Sequence, residues 1–353
     1  MQLSVSPIAL RHFARACFSA VGVVQDDADW AATAMVEADL QGLSTHGTMR
    51  LKAYIEGLQR GKINPRPQMV WKRTGPVTAI LDGDNALGCV SAKQAANFAV
   101  DLARKAGLGA VAVYRGNHVG ALSLYAEWAT HYGVIGLCCC NTYPAVPPTG
   151  GRKPFFGTNP IAFAAPTNAE YSLSIDLATS VVARGHIIQA ARRGEAIPEG
   201  WAVDCEGRAT VDPKAALAGS LLPMAGAKGY ALAMMIEVLA GVLSGARVGD
   251  DVGSMFGTDD EPPGNGFFYL AIHPEHFVGQ GVFLERIQTL IDDVHDIPLA
   301  EGSERIYVPG ERRFLTKQRR RAEGIPISRE VWDDFMALAQ ALDVNLPEYT
   351  QAR

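Results

Sequence analysis

No stretch of the 353-residue sequence reaches the roughly 18–20 uninterrupted apolar residues that span a bilayer. The start, MQLSVSPIALRHFARACF, lacks the apolar core and cleavage site of a secretory signal. The chain is therefore expected to keep away from membranes and to remain in the cytoplasm. Basic residues do not dominate either: 32 Lys and Arg against 37 Asp and Glu give a formal net charge of −5. That balance excludes the electrostatic footprint of a nucleic-acid binder. The one dense basic run, Lys317-Gln318-Arg319-Arg320-Arg321, reads as a solvated helix face.

Metal-ligand spacing is also missing. The six cysteines include an adjacent triplet, Cys138-Cys139-Cys140, but no Cys-x-x-Cys or His-x-x-x-His pair accompanies it, so no metal is expected. Inside an apolar run these thiols read as reduced core residues of a strand, alternating between its faces. Nor does any G-x-G-x-x-G follow a strand, so a standard dinucleotide-binding fold is not supported.

What is present is an ordinary globular balance, 48% hydrophobic and 20% charged, with length enough for two domains. Residues 7 to 60 carry apolar positions at helical spacing, and Pro65 and Pro67 close that section. From Val77 short apolar runs such as VTAIL, GAVAVY and VIGLCCCN alternate with helical ones, the mark of buried strands. A turn-rich stretch, PAVPPTGGRKPFFGTNP, precedes two more strand-like segments. KGYALAMMIEVLAGVLSGA is apolar around most of its circumference and is expected to be buried by the core or by a partner subunit. Ser328 is placed to cap a terminal helix. The order of helices, mixed middle and helices again points to α+β, not a doubly wound sheet. The expected division is a helical part over 1–75, rejoined by about 215–260 and by the C-terminal helices to 353, and a mixed α/β part over 76–214.

Several residues could carry chemistry. In Ser44-Thr45-His46-Gly47-Thr48-Met49-Arg50, an α-helix would stack His46 and Arg50 one turn apart on one face. A guanidinium there would clamp a carboxylate while the imidazole serves the adjacent carbonyl. The same residues equally suit an N-cap, an exposed imidazole and a solvated charge. His118 lies where a strand gives way to a helix, a place that favours an anion such as a cofactor phosphate. Asp176 would bind ribose hydroxyls or cap the next turn. His186 would extend a proton relay to His46 or be a surface residue. Lys228 opens the apolar helix at the positive end of its dipole, where a bound anion would relieve it.

In order along the chain, STHGTMRLKAYIEGLQRGKINP, GNHVGALSLYAEWATHYGVIG, GGRKPFFGTNPIAFAAP, DLATSVVARG, IPEGWAVDCEGRATVDP and KGYALAMMIEVLAGVLSGA resemble the type-2 malate/L-lactate dehydrogenase family, from about residue 5 to 345. The resemblance implies a homodimer in which a helical subdomain is interleaved with a large mixed β-sheet, a non-Rossmann NAD(P) site, and substrate near the dimer interface. It implies hydride transfer between NAD(P)H and C2 of a small 2-oxo or 2-hydroxy acid; the choice between NADH and NADPH stays open, with NADPH slightly favoured, because no residue that would read the ribose 2′ position can be located. The alternative it leaves open is a cyclic imine reductase acting on Δ1-piperideine- or Δ1-pyrroline-2-carboxylate. By the same resemblance His46 is the proton donor, Thr45 matches a neighbouring hydroxyl position and Arg50 binds the substrate carboxylate. Thr45 and His186 would tune His46, although the slot of His186 is often acidic in imine reductases and commonly lysine in the 2-oxo-acid enzymes, so histidine settles neither. Thr158, Asn159 and Lys228 belong to the substrate side. His118, Val119, Gly120, Ala121 and Leu122, then Asp176, Leu177 and Ala178, then Gly310, Glu311 and Arg312, line the cofactor. The pair Phe155-Phe156 leans toward the imine reductases, since a flat apolar wall suits a ring. A non-catalytic binding or assembly protein on the same fold is the remaining class, opposed by the intact Thr45, His46, Arg50 and Lys228.

Overall fold

The computed structural model describes residues 3–351 other than 256, 258 and 259. Two helices open the chain, α1 (Pro7–Ala20) and α2 (Gln25–Leu40). In α1 the Ser6 side chain accepts from the Ala9 N–H and Pro7 occupies the first turn. These are the residues that a helix start favours. Its buried residues Leu10, Phe13, Ala14, Cys17 and Phe18 recur every three or four positions, so one face enters the core. Each such Leu or Phe contributes about 1.5–3 kcal/mol on burial. Two short 3₁₀ turns, Ser44–His46 and Thr48–Arg50, lead into α3 (Leu51–Gln59).

A seven-stranded mixed sheet follows. The strands at the chain ends, β1 (Leu3–Val5), β12 (Ile325–Ile327) and β13 (Tyr349–Gln351), form a separate three-stranded sheet with β1 in the middle. The large sheet has the order β2 (Val70–Arg73), β3 (Thr78–Asp82), β4 (Leu108–Gly116), β11 (Asn265–Ile272), β5 (Ile135–Cys140), β6 (Ile161–Ala165), β7 (Leu173–Leu177). Only β3 and β4 run parallel, joined through α4 (Gly88–Ala106); every other neighbour is antiparallel. Such a sheet is not doubly wound, in keeping with the missing glycine fingerprint.

Period-2 alternation sorts its residues. Cys138 and Cys140 join the principal core with Phe267 and Tyr269, beneath α4 and α5 (Ser123–Thr130). Cys139 turns to the other face and meets Ile236 and Ala240 of the apolar helical segment. That segment comprises α8 (Ala227–Ile236) and a π-helical turn, Glu237–Val242. It lies so close to the sheet that a Cβ on Gly266 would stand 1.7 Å from the Ala240 carbonyl oxygen. A smaller lobe, with α6 (Arg184–Arg193), α7 (Pro213–Ala218) and the short strands β8 (Ala202–Val203), β9 (Ala209–Thr210) and β10 (Ser220–Leu221), has its own apolar cluster around Ile187 and Leu221. Helices α9 (Gln280–His295), α10 (Glu311–Glu323) and α11 (Arg329–Leu342) complete the chain, and Ser328 caps α11.

Two expectations change here. The boundaries at 76 and 214 fall across the large sheet: β2 precedes the first, and β11, its central strand, follows the second. A strand hydrogen-bonded on both edges cannot belong to another body. The apolar segment, expected to be buried by the core or by a partner subunit, is covered on one side within the chain and leaves Met234, Met235, Val238, Val242 and Leu243 exposed on the other. The basic run is a solvated face only in part: Gln318, Arg319 and Arg321 are exposed, whereas Lys317 and Arg320 are half-buried. Lys317 Nζ lies 2.5 Å from Glu37, and Arg320 donates to the Asp39 main-chain carbonyl, so α10 docks on α2. No helix among the described residues is long and apolar enough to cross a membrane.

Candidate active site

A cavity of about 280 Å³ opens where the 3₁₀ turns, the ends of β4, β5 and β7, and the start of α6 converge. Thr45, His46 and Arg50 line it, but not from one α-helical face. Each 3₁₀ turn closes on its own, His46 N–H to the Leu43 carbonyl at 2.9 Å and Arg50 N–H to the Gly47 carbonyl at 3.0 Å. Between them the backbone of Gly47 is extended. The side chains of Thr45, His46 and Arg50 reach one cavity across this extended link, a geometry that i,i+4 α-helical spacing does not describe.

His46 is held on two sides. Its Nδ1 lies 3.1 Å from Thr45 Oγ1, and its ring stacks on that of His118 with centroids 5.7 Å apart and planes 11° from parallel. His118 Nδ1 in turn lies 2.7 Å from Tyr54 Oη. Burial, then the Arg50 charge, pushes the pKa of His46 down to about 4. Burial, His46 and Arg50 hold His118 well below the usual histidine range. Both rings are therefore neutral at neutral pH. Where Nδ1–H donates to the Thr45 hydroxyl, the Nε2 lone pair is left for a substrate proton. Arg50 Nε donates to the Thr45 carbonyl at 2.9 Å, tying the guanidinium to the turn beside the imidazole.

The remaining expected residues divide. His118, Val119, Gly120, Ala121 and Leu122, with Asp176, Leu177 and Ala178, line the same cavity, as do Thr158 and His186. Asp176 Oδ2 accepts from the Ser123 N–H at 2.9 Å, so this carboxylate caps α5, and burial raises its pKa. The helix that was to hold an anion beside His118 thus starts at Ser123 and has that N–H bonded to a carboxylate of the chain. His186 is exposed at the first turn of α6. Asn159 does not line the cavity: it is fully buried, donating to the Ala233 carbonyl at 3.1 Å and to Glu237 at 2.7 Å. Lys228 is exposed at the start of α8, outside the cavity.

The Gly310 loop is likewise elsewhere. Glu311 is buried against Arg305 and His295, Arg312 lies over Tyr307, and Gly310 borders a second cavity of about 520 Å³ with Leu124 and Arg313. Phe155 and Phe156 also miss the first cavity. They pack edge to face at 5.0 Å, and Phe156 rests on Tyr230.

Among the cavity residues that the sequence reading did not single out are Asn141, Thr142, Tyr143 and Arg184. The first three form a polar step directly after an apolar strand, a signal that could have marked them. Arg184 stands 5.6 Å from the Tyr143 ring and donates to the Leu217 carbonyl at 3.1 Å.

With this geometry, comparison with known proteins is decisive. The description malate/L-lactate dehydrogenase fits residues 5–336. The chain belongs to the malate/L-lactate dehydrogenase family. It is an oxidoreductase, and its dehydrogenase relatives imply a nicotinamide cofactor. The L-sulfolactate dehydrogenase of Methanothermobacter thermautotrophicus is 38% identical over 344 residues, 98% of each chain. The solved sulfolactate dehydrogenase of Methanocaldococcus jannaschii superposes with a TM-score of 0.90 at 37% identity, covering 98% of both. A Δ1-piperideine-2-carboxylate reductase from Pseudomonas syringae pvar. tomato superposes at 0.85 with 32% identity, covering 95% of this chain and 99% of that one. The likeness of this dehydrogenase-family chain to both kinds of enzyme extends over nearly its whole length.

Proposed function

We propose that this enzyme transfers hydride between a nicotinamide cofactor and C2 of a small 2-oxo or 2-hydroxy acid, with His46 as proton-transfer residue and Arg50 as carboxylate binder. The observation that carries the reading is that His46, fixed at Nδ1 by Thr45, and Arg50, tied to the same turn, border one cavity. The nicotinamide supplies or accepts the hydride. Gly120 to Leu122 and Leu177-Ala178 are the backbone and apolar groups that would hold it beside the substrate. The second cavity, where Arg313 Nη1 is buried without a hydrogen-bond partner among the described residues, suits the far, anionic end of a dinucleotide.

In the oxidation direction, Arg50 anchors the substrate carboxylate, neutral His46 takes the hydroxyl proton at Nε2, and C2 becomes the carbonyl carbon. In reduction, protonated His46 returns that proton to the oxygen. Arg184 is a second cation on the same cavity, so a substrate with a further anionic group is favoured.

The test is oxidation of NADPH and of NADH against oxaloacetate, sulfopyruvate, pyruvate and Δ1-piperideine-2-carboxylate. Expected are turnover of the dianionic 2-oxo acids above pyruvate and a lower KM for NADPH. Turnover of the cyclic imine alone would replace this reading with the imine reductase. Cofactor binding without any turnover would return the non-catalytic class.

The enzyme is also proposed to be a homodimer joined through the exposed apolar face Met234, Met235, Val238, Val242 and Leu243. Sedimentation at micromolar concentration should give twice the chain mass, and a monomer there would overturn it. Six free cysteines, five of them buried, suit the reducing cytoplasm.

A further inference from the structure

We infer that Asp39 is a positioning residue whose buried carboxylate clamps the turn that carries both His46 and Arg50. This rests on the site assignment proposed above. Asp39 is 3% exposed, near the C-terminal end of α2. Its Oδ2 accepts two hydrogen bonds from one residue, from the Thr48 N–H at 2.8 Å and from the Thr48 hydroxyl at 2.6 Å. Thr48 is itself 1% exposed and stands midway between His46 and Arg50. The carboxylate also presses on the preceding residue: a Cβ at Gly47 would lie 1.9 Å from Asp39 Oδ1. The link between the two 3₁₀ turns is thus held at its backbone, at its hydroxyl and by van der Waals contact.

The arrangement is a costly one for scaffolding alone. A carboxylate near a helix C-terminus meets the negative end of the dipole, and burial penalises its charge. Burial pushes the Asp39 pKa up to about 6, while Thr48 and Arg320 pull it back. A charged oxygen makes shorter and stronger bonds than an amide would, which is what a turn with no α-helical continuity needs. Arg320 donates to the Asp39 main-chain carbonyl from the other side, so the basic run of α10 supports the clamp.

The experiment measures kcat and KM for the fastest 2-oxo acid of the panel, cofactor Kd and thermal stability in Asp39→Asn, Thr48→Val, their double variant and Thr48→Ser. His46→Ala and Arg50→Ala are run beside them. Asp39→Asn and Thr48→Val should each lower kcat/KM by about tenfold or more, the size of a lost charge-assisted hydrogen bond, with cofactor Kd unchanged within about twofold. The double variant should be little worse than Asp39→Asn, because one interaction is lost in each case. Thr48→Ser, which keeps the hydroxyl, should recover most of the loss. Unchanged kcat/KM in a folded Asp39→Asn enzyme, or fully additive effects, would overturn the clamp. If Asp39→Asn does not fold, the contrast between Thr48→Val and Thr48→Ser decides. Silent His46→Ala and Arg50→Ala variants would instead remove the site assignment on which the clamp rests.

Discussion

Replacing His46 with alanine should lower turnover by roughly 10²–10⁴-fold, the contribution of a positioned acid or base, and leave cofactor affinity nearly unchanged. The imidazole is held by Thr45 and by the His118 ring and, among the described residues, makes no hydrogen bond beyond the one to Thr45, so its loss should cost chemistry more than stability. Turnover within a few-fold of wild type would end the assignment. In that event His118, bonded through Nδ1 to Tyr54, becomes the proton-transfer group.

The pH profile gives the same variant a second reading. Oxidation of a hydroxy acid needs neutral His46, whose pKa in the free enzyme is lowered to about 4. Because kcat/KM reports the free enzyme, it should hold as pH falls and drop only as that value is approached. A bound substrate carboxylate offsets the Arg50 charge, one of the two causes of the lowering, so the acid limb in kcat should lie higher. In reduction the sign reverses: protonated His46 is required, and the rate should fall as pH rises through the raised value of the complex. The limb should vanish in His46→Ala, and a limb that stays in place belongs to another group.

Much of this was legible in the sequence, and the exceptions have physical causes. Alternation in Ile135–Cys140 and helical spacing in Pro7–Ala20 are local signals that report burial directly, and both elements formed as read. The Thr45, His46 and Arg50 cluster was visible as a polar island. Its geometry was not, because two 3₁₀ turns joined at Gly47 have no periodic signature. Asn159 shows the complementary error. The family resemblance set it on the substrate side, but its amide is spent on Glu237, a partner 78 positions away that no local pattern announces. Long-range pairing also defeated the domain boundaries, since β11 returns from beyond residue 260 to the middle of the sheet.

Arg50→Ala should raise KM for the 2-oxo acid by roughly 30- to 10³-fold, the equivalent of about 2–4 kcal/mol for a charge-assisted pair lost from a buried site. Arg50→Lys should recover only part of this, because a point charge cannot reproduce the fork that meets both carboxylate oxygens. The variant also separates two roles that wild-type kinetics merge. Arg50 lowers the His46 pKa as well as binding substrate, so its removal should lift the acid limb of kcat/KM in the oxidation direction above about 4, still below the ordinary histidine value because burial remains the larger cause. Arg50→Lys, keeping the charge, should leave that limb close to wild type while KM stays high. If Arg50→Ala instead left KM unchanged and moved only the limb, Arg50 would be an electrostatic neighbour of the imidazole, and the substrate carboxylate would have to be met by Arg184, the other arginine on the cavity.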